Sequence, residues 1–215
     1  MKKSKQPQPV RDEVHPTGFP EVLRQGGGLA KKVEDDTAMA VLAATQAALA
    51  VVTGRFFIIE NPTDSLIWHL DEMKALAGLP GVKRVDLHNC AFGGLRRKAT
   101  TFLTNLPELE EECGKLCSES RAEANCPHLG VPHLPWAPKV DGMGCFDPPS
   151  KEEADYPVAL CEAIARACVR RRAGVMAKGG RFTLPTSLFI EVFSGINAPL
   201  TAAVAAAVKA VPRDL

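Results

Sequence analysis

Apolar residues in this chain fall into short solid runs and helical stripes, separated by turn-forming residues. The densest run, Phe56-Phe57-Ile58-Ile59, passes straight into Glu60-Asn61-Pro62. A short apolar run bounded by turn signals predicts a fully buried strand, here at 55–59. Before it, Asp36 or Thr37 is placed to cap a helix running to about Thr53, which Gly54 stops. After it, Asp64 or Ser65 opens a second helix, LIWHLDEMKALAG, ended by Gly78 and Pro80. Val82 to Leu87 predicts a second strand, Asn89 to Gly94 a turn, and Ala99 to Leu103 a third strand rich in sheet-favouring residues. The second and third strands are expected to pair antiparallel about that turn. Leu106 to Leu116 sets Leu106, Leu109, Cys113 and Leu116 on one helical face.

The pattern then breaks down. Residues 118 to 150 lose all periodicity and hold six prolines (Pro127, Pro132, Pro135, Pro138, Pro148 and Pro149). A helix is expected from about Lys151 to Arg172, a strand at Ser187 to Phe193, a turn at Ser194 to Asn197, and a helix at Ala198 to Val208. The chain is therefore expected to be α/β, in four stretches. These are a loop-like segment at 1–34, an α/β core at 35–117, an irregular Pro/Cys/His-rich excursion at 118–150, and a helix with a strand–turn–helix at 151–215.

Composition adds limits. The 215 residues suit one domain or slightly more, and 46% hydrophobic content supports a sizeable core. A net charge of +1 gives no bulk attraction to nucleic acid or membrane, so any nucleic-acid contact needs a local patch. The longest apolar tract, Ala38 to Val52, reads as too short and too alanine-rich to span a bilayer. The N-terminus lacks the apolar segment of a secretory signal. Seven scattered cysteines, an odd number, fit reduced thiols in the nucleus or cytoplasm better than a disulfide framework.

Several groups carry candidate chemistry. Glu60 and Asn61 end a buried strand, and in open α/β sheets ligands bind beyond the carboxyl ends of strands. The competing role for Glu60 is to cap the helix that starts near Asp64. Phe193-Ser194-Gly195 ends another strand before a helix opening at Ala198 or Pro199, a unit that often holds a nucleotide-like cofactor but also occurs as ordinary packing. Arg96-Arg97-Lys98 follows Gly93-Gly94 and suits either a phosphate or base contact or a solvated turn. Cys113, Cys117, Cys126 and His128 are zinc-ligand types at the spacing C-x3-C-x8-C-x-H, with His133 a further candidate, set against the usual burial of free cysteine. Asp147-Pro148-Pro149-Ser150 is similar to a motif of amino-methyltransferases. Its short, glycine-broken lead-in favours instead a helix cap in which Ser150 and Glu153 form a capping box.

Together these pieces resemble a cytosine carbon-5 DNA methyltransferase. In that family a Phe-x-Gly strand end binds S-adenosylmethionine, which implies this role for Phe193, Ser194, Gly195 and Asn197. A Glu-Asn-Val strand end holds the flipped cytosine, and Glu60-Asn61-Pro62 is similar, with proline for valine. An arginine-bearing turn after a strand resembles FGGLRRKATTFLTN, with Lys98 at the first arginine position, Thr100 at the second, and Arg97 as a substitute. The stretch from Arg11 to Cys168 more closely resembles methyltransferase-like segments of large transposon-associated proteins of unicellular algae. The shared pattern runs through Arg11, Pro16, Gly18, Glu-Asn-Pro, Ser65, Trp68, Thr100 to Asn105, Tyr156-Pro157 and Leu160-Cys161.

The resemblance implies a partial or permuted Rossmann-like methyltransferase sheet, S-adenosylmethionine as cofactor, DNA as partner, and no membrane. Two departures qualify it. The cofactor strand follows Glu60 instead of preceding it. The Pro-Cys motif of the nucleophile is missing, since Cys126-Pro127 has the reverse order and Asn89 precedes Cys90. Three arrangements fit: a circular permutation cut short, a split enzyme completed by another methyltransferase chain or segment, and a fragment spanning two neighbouring copies. On each of them the isolated chain is expected to be inactive. The alternative is a non-catalytic interaction or nucleic-acid-binding module that keeps the fold.

Overall fold

The computed structural model describes residues 9–121, 123–136, 139–140, 146–147, 156–177 and 187–191. Two helices come early, the short α1 (Pro20–Gln25) and the long α2 (Gly27–Val52). Strand β1 (Phe56–Pro62) follows, then a 3-10 turn (Leu66–His69) and α3 (Asp71–Ala77). Next are β2 (Lys83–His88), a second 3-10 turn (Asn89–Phe92), β3 (Ala99–Thr104) and α4 (Glu108–Cys113). Two-residue strands β4 (Lys139–Val140) and β5 (Phe146–Asp147) pair antiparallel, followed by helix α5 (Val158–Ala177) and strand β6 (Ser187–Glu191).

The main sheet has four strands in the order β2-β3-β1-β6. β1 and β2 both run antiparallel to β3, while β6 lies parallel to β1. The fold is thus mixed α/β, with helices on both faces of the sheet. The alternation of strand side chains sorts the core. Phe57 and Ile59 pack against Ala40, Ala43 and Ala47 of α2 and Met73 and Leu76 of α3. Ile58 faces the opposite layer, with Val85, Phe102, Leu109 of α4, and Leu160 and Ile164 of α5. Each of the large side chains buried in this way contributes about 1.5–3 kcal/mol.

The expected antiparallel pairing of the second and third strands is present, with Val85 opposite Phe102. The first strand runs farther than its apolar run, because Glu60, Asn61 and Pro62 pair with Phe102, Thr101 and Thr100 of β3.

Several elements differ from the sequence expectation, among them the β4–β5 pair inside the stretch 118–150 expected to be irregular and the helix expected from about Lys151, where Tyr156 and Pro157 are not helical and α5 opens at Val158. Residues 20–34 are helical, not loop: Gly26 and Gly27, at φ 67° and 79°, form the joint between α1 and α2. Beyond that joint Ala30 and Val33 are buried. The single helix expected from Leu66 is split at Leu70, whose extended backbone lets its side chain enter the core. Helix α4 stops at Cys113 because the chain turns back, the His88 N–H donating to the Lys115 carbonyl at 3.0 Å. Helix α5 runs on to Ala177. The expected helix at 198–208 lies outside the described residues.

Helix α2 is long and apolar enough to cross a membrane by length and composition, since it begins well before Ala38. Its alanine face is packed on β1 and α3, while Met39, Leu42 and Leu49 are exposed.

Candidate metal centre and the Glu-Asn-Pro strand end

Glu60 and Asn61 sit at the carboxyl end of β1 and are 3% and 5% exposed. The Asn61 amide donates to the Glu60 carbonyl at 2.9 Å. The loop beyond is fixed by the Trp68 indole N–H, which donates to the Pro62 carbonyl at 2.8 Å, and by the Thr63 N–H to the Ala99 carbonyl at 3.2 Å. Arg84 lies over the Trp68 ring at 5.7 Å and donates to the Thr63 carbonyl, which holds this corner further. Because β6 is parallel to β1, Glu60 stands opposite Glu191 and both strands end at one sheet edge. Phe193, Ser194, Gly195 and Asn197 lie outside the described residues.

The basic run is built into the fold. The Gly94 N–H closes a turn onto the Asn89 carbonyl at 3.0 Å, and a Cβ at Gly94 would lie 3.0 Å from that oxygen. Gly93 takes φ 89°, a conformation that side chains resist. Arg96 is buried: its Nε donates to the Pro135 carbonyl at 3.1 Å, and its guanidinium lies 5.7 Å from the Trp136 ring centre. Arg97 donates to His88 Nδ1 at 3.4 Å, and Lys98 Nζ sits 4.8 Å over Tyr156.

His88 Nδ1 also accepts the Cys117 N–H at 2.8 Å. A ring nitrogen that accepts is unprotonated, so the proton of the neutral ring lies on Nε2. Burial, and then the Arg97 charge, hold the His88 pKa below its ordinary value.

Beside this turn, Cys90, Cys117, Cys126 and His133 converge, with their ligand atoms all within 4.8 Å of one another. The cluster can hold a metal ion. The Cys117 and Cys126 sulfurs are 3.7 Å apart, and Cys117 Sγ is 3.7 Å from His133 Nε2. A zinc–sulfur bond of about 2.3 Å and a zinc–nitrogen bond of about 2.0–2.1 Å put tetrahedral sulfur–sulfur edges near 3.8 Å and sulfur–nitrogen edges near 3.6 Å. These two observed edges therefore match a tetrahedral site of three sulfurs and one nitrogen. A disulfide, by contrast, needs about 2.05 Å.

Three parts of the chain supply the candidate ligands: the 3-10 turn after β2 gives Cys90, the returning segment after α4 gives Cys117, and the proline-rich excursion gives Cys126 and His133. A tight knuckle presents Cys126. The Gly130 N–H donates to the Cys126 carbonyl at 2.8 Å, and the Cys126 N–H donates to the Val131 carbonyl at 2.9 Å. Burial raises the Cys126 thiol pKa, but backbone N–H groups of His128 and Leu129, together with the Cys117 and Cys90 thiols, outweigh it, so the net shift is downward. Cys90 is pushed up to about 12 by burial and by the neighbouring Cys117 thiol, so in the metal-free chain it holds its proton.

Of the sequence-derived set, Cys117 and Cys126 belong to this quartet, and His133, noted as a further candidate, completes it. Cys113 does not: it is fully buried in the α4–α5 core, where burial pushes its thiol up to about 12. His128 is exposed, with its ring Nε2 3.3 Å from the Leu116 carbonyl, and is not one of the four converging residues. Cys90 was missed as a ligand because it lies far from Cys117 in sequence and follows a strand, where it reads as a nucleophile candidate. The available signal was Cys126-Pro127 with Gly130, a turn that can present a sulfur to backbone donors. Comparison of the chain with protein families, with curated proteins and with solved structures finds no match.

Proposed function

We propose that this chain is a fragment or permuted form of an S-adenosylmethionine-dependent cytosine carbon-5 DNA methyltransferase-like protein. The observation that carries this reading is the parallel pairing of β1 with β6. The strand bearing Glu60-Asn61 and the strand leading in sequence to Phe193-Ser194-Gly195 are neighbours and end at one edge, in register at Glu60 and Glu191. A base-holding carboxylate and a methyl donor must meet at such an edge.

In this reading the target base leaves the duplex, because its reacting atoms are shielded inside the stack. Glu60 hydrogen-bonds the ring nitrogen and amino group of the flipped cytosine, and the Asn61-Pro62 corner, held by Trp68, fixes its position. Arg97 and Lys98 meet phosphate. S-adenosylmethionine supplies the methyl group. Cys90 belongs to the metal quartet, so it is not the missing thiolate. The nucleophile then comes from a complementary chain or segment, and this chain is inactive alone. The metal is Zn²⁺, held by four protein ligands as a structural ion with no open position for chemistry.

Calorimetric titration of the purified chain with S-adenosylmethionine tests the reading. Saturable binding is expected, and no heat even at millimolar ligand would sink it for the isolated chain. Methyl transfer to DNA by the chain alone would overturn the argument from the missing thiolate.

A second reading is a non-catalytic nucleic-acid-binding module. The commitment of Cys90 to the quartet favours it. DNA binding without methyl-donor binding would establish it in place of the first.

A further inference from the structure

The quartet surrounds the basic turn. Its Cys90 corner lies on the 3-10 turn that leads into Gly93-Gly94. At the Cys117 corner, the Cys117 N–H donates to His88 Nδ1, the atom that also accepts from Arg97. Beyond the His133 corner, the Leu134 N–H donates to the Leu95 carbonyl at 2.9 Å, and the Pro135 carbonyl accepts from Arg96. Residues 95–97 are therefore gripped from two sides by segments that join at the quartet.

Little else holds those segments. Among the described residues, the small apolar cluster here contains the three cysteines with Leu129 against them. Among the described residues between Lys115 and Trp136, regular structure is limited to the isolated bridge Asn125–Pro132. Leu116, Val131 and Leu134 are exposed. A segment with so little buried apolar surface does not order itself by packing, whereas zinc–ligand bonds can supply folding energy directly.

We propose that zinc at Cys90, Cys117, Cys126 and His133 is the latch that seats the Leu95–Lys98 turn, so that this turn takes nucleic-acid phosphate only in the metal-loaded chain. The proposal rests on the reading of the quartet as a zinc site and deepens the role given to Arg97 and Lys98. Zinc fixes the loop, the loop fixes Arg96 through Pro135 and Trp136, and the seated turn holds Arg97, against His88, and Lys98, over Tyr156, at fixed positions. With the metal gone, Leu95, Arg96 and Arg97 lose that grip and the Arg97 charge loses entropy on binding, while Lys98 stays tied through its carbonyl to the Asn89 N–H at 3.0 Å.

Elemental analysis first establishes whether zinc is present at one ion per chain; its absence sinks the zinc reading, and the latch with it. Hydrogen exchange is then followed on the loaded chain and on the same chain after chelation, with the sheet segment Phe102–Thr104 as internal control. Chelation is expected to speed exchange of the Leu134 N–H, whose acceptor is the Leu95 carbonyl, by about tenfold or more and to leave the control within about twofold. Unchanged exchange at Leu134 after the metal has left overturns the latch while sparing the zinc site. Equal acceleration in the control also overturns it, making zinc a general stabiliser.

His133→Cys keeps a ligand at that corner and should retain protection, whereas His133→Ala should lose it; the opposite pattern counts against the latch. Binding of a fluorescent duplex oligonucleotide at fixed salt should weaken about tenfold on chelation, in line with losing one or two phosphate contacts. No binding by the loaded chain overturns the phosphate role, and equal binding with and without zinc overturns its metal dependence. The methyl-donor titration is independent of these outcomes, so failure of the latch and failure of the methyltransferase reading are separable.

Discussion

Gly18 takes φ 114°, and a Cβ there would lie 2.6 Å from Val33 Cγ1. The same corner is tied by Arg11, whose guanidinium donates to the carbonyls of Val33 at 3.1 Å and Pro16 at 3.4 Å. Gly18→Ala combines a disfavoured backbone with an overlap, so it is expected to cost about 2 kcal/mol, read as a lowered denaturant midpoint at unchanged slope. Arg11, Pro16 and Gly18 thus have a local physical role, clamping the N-terminal segment onto α2. Glu60 carries a different expectation. Glu60→Gln keeps its shape, so the far-ultraviolet spectrum should be unchanged. Binding to an oligonucleotide with an unpaired cytosine should fall about tenfold, the loss of one charge-assisted hydrogen bond. Equal affinity of the variant would remove Glu60 from the site.

Helix α4 is fastened to α5 by acid–base pairs. Glu112 accepts from Arg166 Nε at 3.0 Å and from Arg170 at 3.0 Å, and Glu111 accepts from Arg170 at 2.8 Å. Burial works to raise the Glu112 pKa, but Arg170 and then Arg166 outweigh it and hold it below its ordinary 4.5. A carboxyl lowered on folding adds stability that is complete above its unfolded value and is lost as pH falls through its folded value. Glu112→Gln should therefore cost about 1 kcal/mol at neutral pH, with half-exposed arginines limiting the gain. The gap from the parent chain should narrow as pH falls below 4.5 and close once pH has passed the lowered folded value. A constant gap from neutral to acid pH would show that the arginines do not act through the Glu112 charge. Helix α2 was legible only in part. Its apolar second half shows the pattern, but its charged first half forms a helix because Ala30 and Val33 find partners in tertiary space.

For the molecule as a whole, the quartet joins residues 90, 117, 126 and 133 across three segments. On the proposed zinc site, a strong chelator should lower the melting temperature by roughly 10 °C or more, reversed by stoichiometric zinc. Cobalt in place of zinc should give the visible bands of a tetrahedral thiolate site, and octahedral cobalt would contradict the proposed ligand set.

Strands β1, β2, β3 and β6, the antiparallel β2–β3 pair and the α/β class follow from local patterning, because alternation and turn residues act over a few positions. The candidate metal ligands do not, because Cys90 and His133 come together only when β2 ends beside the returning chain after α4. The same holds for Arg96. As a member of a basic run it reads as solvated or phosphate-binding, yet the folded chain buries it against Pro135 and Trp136. Sequence carries the chemistry of each side chain and the period of its neighbours. Which distant groups share a site is decided by how the sheet, the helices and the excursion close on one another.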